Sequence, residues 1–216
     1  GYAAGQAVTT GVENTLIGGL AGDAITTGSE NVAVGASALS SNTTGRENNA
    51  SGRKSLFANT TGSYNSSSGA TALATNTTGA NNTAHGYRAL YLNTTASNNT
   101  AVGYQSLYAN TTGANNVAVG KAALDANTTG NSNTALGTDA LSSDTLGSRN
   151  VAVGTSALEV QNFTSATNSY NVAVGYNAGA AVTTGVQNIF IGGLSGDANT
   201  TANSNVAVGY NTLSTN

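Results

Sequence analysis

Apolar residues alternate with small or polar ones over five-residue stretches, and then the alternation stops. "NVAVG" at 31–35, "NTAVG" at 99–103 and "NVAVG" at 116–120 and 150–154 are examples. Period-two alternation carried by β-branched residues predicts short strands. A Leu usually follows four residues beyond the final Gly, and then a polar run such as "NTTG". Its Asn and Gly mark turns.

The final Gly of each stretch sets a period. It stands at Gly18, Gly35, Gly52, Gly69, Gly86, Gly103, Gly120, Gly137 and Gly154, every step being 17 residues. One step of 21 leads to Gly175, and 17 again to Gly192 and Gly209. Four residues before each of these lies an Asn: Asn14, Asn31, Asn48, Asn65, Asn82, Asn99, Asn116, Asn133, Asn150, Asn171, Asn188 and Asn205. Four residues after it lies Leu39, Leu56, Leu73, Leu90, Leu107, Leu124, Leu141, Leu158 or Leu213. A fixed short period is the signature of a solenoid, and 17 residues are too few for a two-helix repeat. The expected fold is all-β, a parallel β-solenoid of about 12–13 coils with two or three short strands each. Coils would stack about 4.8 Å apart, the ordinary strand spacing.

Stacking explains the repetition, because each residue then lies above its own counterpart. An Asn above an Asn can pass amide hydrogen bonds up a ladder, and a Gly at a corner permits positive φ. On one reading the coil buries Val at −1 from the marker Gly, Val or Thr at −3 and Leu at +4, with Ala at −2 on the opposite face. Three coils are then polar inside, through Asn49 and Ser51, Ser66 and Ser68, and Thr83 and His85. On the other reading the Ala face is inward and the −1 residues face a partner. The sequence leaves both open. A buried Val or Leu gives about 1.5–3 kcal/mol, whereas ordering a coil costs more than ~17 kcal/mol of backbone entropy. Many stacked copies are needed, and a homo-oligomer, trimer or longer filament, is expected.

A longer period lies above the first. Residues 1–42 match 175–216 at 28 of 42 positions, an offset of 174 residues. Both copies lose Leu at +4 (Gly22, Gly196), gain Leu at +2 (Leu20, Leu194) and carry a bulky residue at −2 (Leu16, Phe190). That reads as volume compensation within a core. The domain reading is one array over 1–216, with the four extra residues forming a loop at about 159–170. Ten coils would rise about 48 Å, so the chain reads as a window on a longer array.

Composition adds mostly exclusions. Charged residues are 7% of the chain, the net charge is −3, and Pro, Cys, Met and Trp are absent. Six Lys and Arg give no basic stripe for nucleic acid. No apolar run reaches the ~18 residues that suggest a membrane span. The single His85 has no Cys or acidic neighbour in its coil, and no carboxylate recurs at a fixed coil position. Neither a catalytic constellation nor a cofactor or metal site is expected. Arg46, Glu47, Arg53 and Lys54 form the densest charge, read as a solvated edge.

Two ladders invite functional readings. In the "NTT" triplets one Thr of each pair would be exposed, forming a row able to order ice-like water. The same triplets are N-x-T acceptors, at Asn42, Asn59, Asn76, Asn93, Asn110, Asn127 and Asn199. In a secreted eukaryotic protein they would carry a column of glycans; in a bacterial or phage protein they have no such meaning. A Tyr row at +1 (Tyr87, Tyr104, Tyr176, Tyr210) would suit sugar stacking if exposed.

The unit "NTAVGYQSLYANTTGANNVAVGKAAL" at 99–124 resembles repeats of long fibre and adhesin proteins. Its core is similar to the head repeats of trimeric autotransporter adhesins of the YadA type, and the whole unit to repeats of bacteriophage tail-fibre-like proteins. The resemblance implies a trimeric left-handed parallel β-roll, although the adhesin heads use a shorter repeat. It implies a non-enzymatic extracellular, cell-surface or virion-surface fibre, with the chain itself and a surface glycan or receptor as partners. An ice-binding or glycan-binding solenoid is the alternative expectation.

Overall fold

The computed structural model describes residues 1–214, so the last two positions of the 175–216 copy lie outside the described residues. The chain is an all-β parallel β-solenoid with 17-residue coils. It groups into two compact units, Gly1–Gln105 and Ser106–Asn216.

In the first unit, β1 (Thr15–Ile17), β2 (Val32–Val34), β3 (Asn49–Ser51), β4 (Ser66–Ser68), β5 (Thr83–His85) and β6 (Thr100–Val102) form one parallel sheet in chain order. Register follows the sequence period, so Ala33 pairs with Ala50 and Ser51 with Ser68. The second unit has β7 (Val117–Val119), β8 (Thr134–Leu136), β9 (Gly147–Ser148), β10 (Val151–Val153), β11 (Thr167–Asn168), β12 (Val172–Val174), β13 (Ile189–Ile191) and β14 (Val206–Val208). Its main sheet runs β7-β8-β10-β12-β13-β14, and β11 pairs separately with β9. The lengthened coil thus pairs with the preceding one a second time, through the two-residue β11. Most coils hold one three-residue strand, not two or three. The rest of the circuit is turn, held by hydrogen bonds to the coils on either side.

Those turns explain why so few residues close a coil. Leu39, Leu56 and Leu73 have φ of 54°, 50° and 51°, and Ser37, Lys54 and Thr71, two residues earlier, are also left-handed. Such a conformation costs a non-Gly residue roughly 1–2 kcal/mol. Lattice-like hydrogen bonding offsets it. The Lys54 N–H donates to Ala36 O of the preceding coil, whereas the Leu56 N–H donates to Ala72 O of the following one. Donors within one short turn thus reach both neighbouring coils. The marker Gly is held more tightly still: Gly35 has φ 138°, and a Cβ there would meet the Gly52 backbone at 2.6 Å.

The structure decides between the two readings of the strand. Ala33, Ala50, Ala84 and Ala101 in the first unit, and Ala118, Ala135, Ala152 and Ala173 in the second, are fully buried. The +4 leucines from Leu39 to Leu158 are fully buried as well. The second of the two readings holds, and the Val rows face outward. The coil is narrow, and a Leu reaching across it leaves room only for Ala. The three polar coils therefore have no polar core from Asn49, Ser51, Ser66, Ser68, Thr83 or His85, all of which lie at outward strand positions. Ser67 alone takes the Ala place, accepting from Ser55 Oγ at 2.7 Å and donating to Ala72 O at 3.0 Å. Volume compensation holds for Leu16 and Phe190: a Cβ on Gly22 would meet Leu16 Cδ2 at 2.6 Å, and one on Gly196 would meet Phe190 Cδ1 at 2.4 Å. Leu20 takes no part and is exposed.

Candidate functional site

Two columns of Asn run through the interior of each unit. In the first column, Asn48 donates to Asn31 Oδ1 from both its backbone N–H (3.0 Å) and Nδ2 (3.1 Å), and Nδ2 also donates to Gly62 O at 2.9 Å. Asn65 and Asn82 repeat the arrangement one and two coils on. The second column is built from the "NTT" asparagines. Asn59 Nδ2 donates to Asn42 Oδ1 at 2.9 Å and to Gly62 O at 2.9 Å. Asn76 and Asn93 continue it, and Asn127 donates to Asn110 in the second unit.

The expected glycan column does not fit this geometry. Asn42, Asn59, Asn76, Asn93, Asn110 and Asn127 are fully buried, and Asn199 is buried too. For Asn59, Asn76, Asn93 and Asn127 both Nδ2 hydrogens are engaged inside the coil. A sugar on these nitrogens has no path to solvent. A sequence signal was present. Ile25 and Val182 occupy the same coil position, and both are fully buried. Asp144 and Gln161 also belong to this column, and reading motifs alone passes over them.

The Thr pairs lie in bends, not in strands, and their two members differ in exposure. The first Thr is half-buried and bonded up the stack, Thr43 Oγ1 donating to Thr60 O at 3.1 Å and Thr60 Oγ1 to Thr77 O at 3.0 Å. The second is exposed, giving the row Thr27, Thr44, Thr61, Thr78 and Thr95 in the first unit.

The outward sheet face is the main unpartnered surface. In the second unit its two rows are Val117, Thr134, Val151, Val172, Ile189 and Val206, and Val119, Leu136, Val153, Val174, Ile191 and Val208. Leu136 is 46% exposed, Ile191 40% and Val208 63%. In the first unit apolar ends, Ile17, Val34 and Val102, flank the polar stretch of β3 to β5. His85 lies in that stretch, half-buried, with its Nε2 3.4 Å from Ser66 Oγ.

Charged groups find aromatic partners. Lys54 lies 5.3 Å from the Phe57 ring centre, Arg46 lies 6.0 Å from that of Tyr64, and Arg149 lies over Tyr170 and donates to its hydroxyl. Arg46, Glu47, Arg53 and Lys54 are all exposed, as a solvated edge should be. Tyr87 and Tyr104 are exposed at their edges but stack on each other at 5.6 Å, and Arg88 lies over Tyr87 at 5.2 Å. Tyr176 and Tyr210 are exposed. The described residues enclose no pocket and hold no cluster of three or more His, Cys, Asp or Glu. No helix among them is long and apolar enough to cross a membrane.

Comparison with protein-family models, curated proteins and solved structures finds no match.

Proposed function

We propose that the protein is a non-enzymatic structural element of an extracellular fibre, filament or adhesin shaft, assembled from copies of itself through the outward sheet face. The observation that carries this is the apolar double row on the second unit. Eleven of its twelve residues are Val, Leu or Ile, and they stand on a sheet face that no described residue covers. Soluble monomers rarely present a continuous apolar surface of this kind, and such surfaces mark interaction sites. A second copy is the partner that suits it, because identical flat rows are self-complementary. The rest of the molecule supports a structural role. Its coils are tied by backbone and Asn ladders and carry few groups suited to chemistry.

The test is the mass of the native particle. Wild-type protein should sediment as an oligomer. Leu136→Lys with Ile191→Lys should sediment as a monomer with an unchanged circular dichroism spectrum. A wild-type monomer at high micromolar concentration overturns the reading.

The exposed Thr row favours a second reading, ice binding, in which a regular array of hydroxyl and methyl groups orders water. Its test is the freezing behaviour of a dilute solution: faceted ice crystals and a depressed growth temperature, both lost in Thr44→Tyr with Thr61→Tyr.

A further inference from the structure

We propose that Asp144 is the neutral acid in the folded protein, its O–H donating to Asn127 Oδ1, and that loss of this proton releases the inserted loop at residues 162–168. The argument begins with the rule of the buried column. Where one Asn follows another, its Nδ2 donates to the Oδ1 of the preceding coil, at 2.9 Å for Asn59 to Asn42 and 2.8 Å for Asn127 to Asn110. The rung after Asn127 is Asp144, whose carboxylate has no N–H. Asn127 Oδ1 is accordingly buried with no hydrogen-bond partner.

Both Asp144 oxygens are placed as the rule requires. Oδ2 takes the acceptor place and receives Gln161 Nε2 at 2.7 Å, as Asn42 Oδ1 receives Asn59. Oδ1, which receives the Gly147 N–H at 2.9 Å, is left in the place where other rungs put Nδ2. One proton on Oδ1 supplies the missing donor and removes a buried charge together. An unsatisfied buried acceptor costs about 1–3 kcal/mol, and an unpaired buried carboxylate costs more.

Nothing nearby stabilises the charged form by an opposite charge. The groups facing Asp144 are Asn127, Gly147, Asn150 and Gln161, with backbone at Leu146 and Phe163, and all are neutral. The titratable residues of the three coils concerned, Lys121, Asp125, Asp139, Arg149, Glu159 and Tyr170, occupy other coil positions and exert no charge effect on it. Burial pushes the carboxyl above the ordinary carboxylate range, against weaker pulls from Gln161 and the backbone of Gly147, Leu146 and Phe163.

The link to the loop is Gln161. It donates to Asp144 and accepts from Asn171 Nδ2 at 2.7 Å, joining the two ends of the insertion through one buried amide. Ser169, two residues before Asn171, donates to Asn150 Oδ1 at 2.8 Å. An ionised Asp144 sits against Asn127 Oδ1 with no proton between them. Coil 137–153 and the loop above it then separate so that water reaches the charge.

The experiment follows the aspartate carboxyl carbons of the full-length protein by NMR from acid to mildly alkaline pH, with amide exchange at residues 162–168 as a second readout. The expected result is one carboxyl that stays protonated beyond the ordinary range and disappears in Asp144→Asn. Loop exchange should quicken at least tenfold as the wild type ionises, and stay slow in the variant. Because the folded state holds the proton more tightly, the stabilisation is complete in acid and lost as pH rises through the raised value. An Asp144 carboxyl that titrates within or below the ordinary range overturns the proposal without any variant. A titration displaced by added sodium or calcium also overturns it, assigning the vacant acceptor to a cation. Loop exchange that ignores ionisation removes the switch.

Discussion

The Phe190 ring lies where a side chain at Gly196 would go: a Cβ on that Gly would stand 2.4 Å from Phe190 Cδ1. The same ring fills the space at Gly179, whose Cβ would stand 2.8 Å from Phe190 Cδ2. One aromatic at −2 thus replaces the +4 leucines of two coils. Phe190→Ala should lose about 3–5 kcal/mol, the usual cost of emptying such a site. Gly179→Leu and Gly196→Leu should each destabilise the wild-type chain by collision. Combined with Phe190→Ala they should recover more than half of the loss, since the ordinary Ala-and-Leu coil is rebuilt. Urea denaturation of the five proteins checks this. Additive losses would show that the ring and the glycines are unrelated.

The Asn column predicts a different kind of loss. Asn76 donates to Asn59 Oδ1 at 2.7 Å and accepts from Asn93 Nδ2 at 2.8 Å. Asn76→Ala strands both partners in a dry interior, at about 1–3 kcal/mol for each group left unsatisfied. Asn76→Val should fare little better, although Val182 is natural at this place in another coil. The penalty lies with the neighbours that remain. A cycle with Asn59→Val should show strong coupling, and two independent losses would contradict the ladder.

Much of this was legible in the repeat, and its limits are physical. Gly35 and Asn31 recur because a stacked coil makes the same demand at every level, so their spacing gives the 17-residue circuit and its register. Alternation in "NVAVG" shows that Ala33 and Val34 face opposite ways, but not which is inside. That depends on Leu39 crossing a narrow coil from a left-handed turn, which propensities do not foresee. The burial of Asn42 escapes motif reading for a related reason. An N-x-T triplet looks like a surface acceptor, while Ile25 and Val182 in the same column say that the position is dry. Asp144 emerges only from the column, because its meaning is the amide it lacks.

Asp125 offers a milder pH effect. Burial raises its carboxyl above the usual value, the nearby Asp139 carboxylate adds to this, and backbone hydrogen bonds at Asp125 and Ala126 oppose it. A raised folded-state value means stability present in acid and lost as pH climbs through it. Asp139→Asn should bring the Asp125 titration closer to its ordinary position, read directly from its carboxyl carbon. An unmoved titration would leave burial as the sole cause.

The marker glycine combines two constraints, and two sites separate them. Gly120 has φ 136° and Gly209 has φ 128°, so Ala is strained at both. Their surroundings differ. A Cβ on Gly120 would lie 2.4 Å from Gly137 O, whereas one on Gly209 would approach only Thr212 Cγ2, at 3.2 Å. Gly209→Ala should therefore lose about 1–3 kcal/mol, the cost of the backbone conformation alone. Gly120→Ala should lose clearly more, because two coils must part for a methyl group. Amide exchange should show the extra loss in β7 and β8, the strands that immediately precede Gly120 and Gly137. Equal losses at the two sites would mean that conformation alone selects glycine and that close stacking of the coils adds nothing.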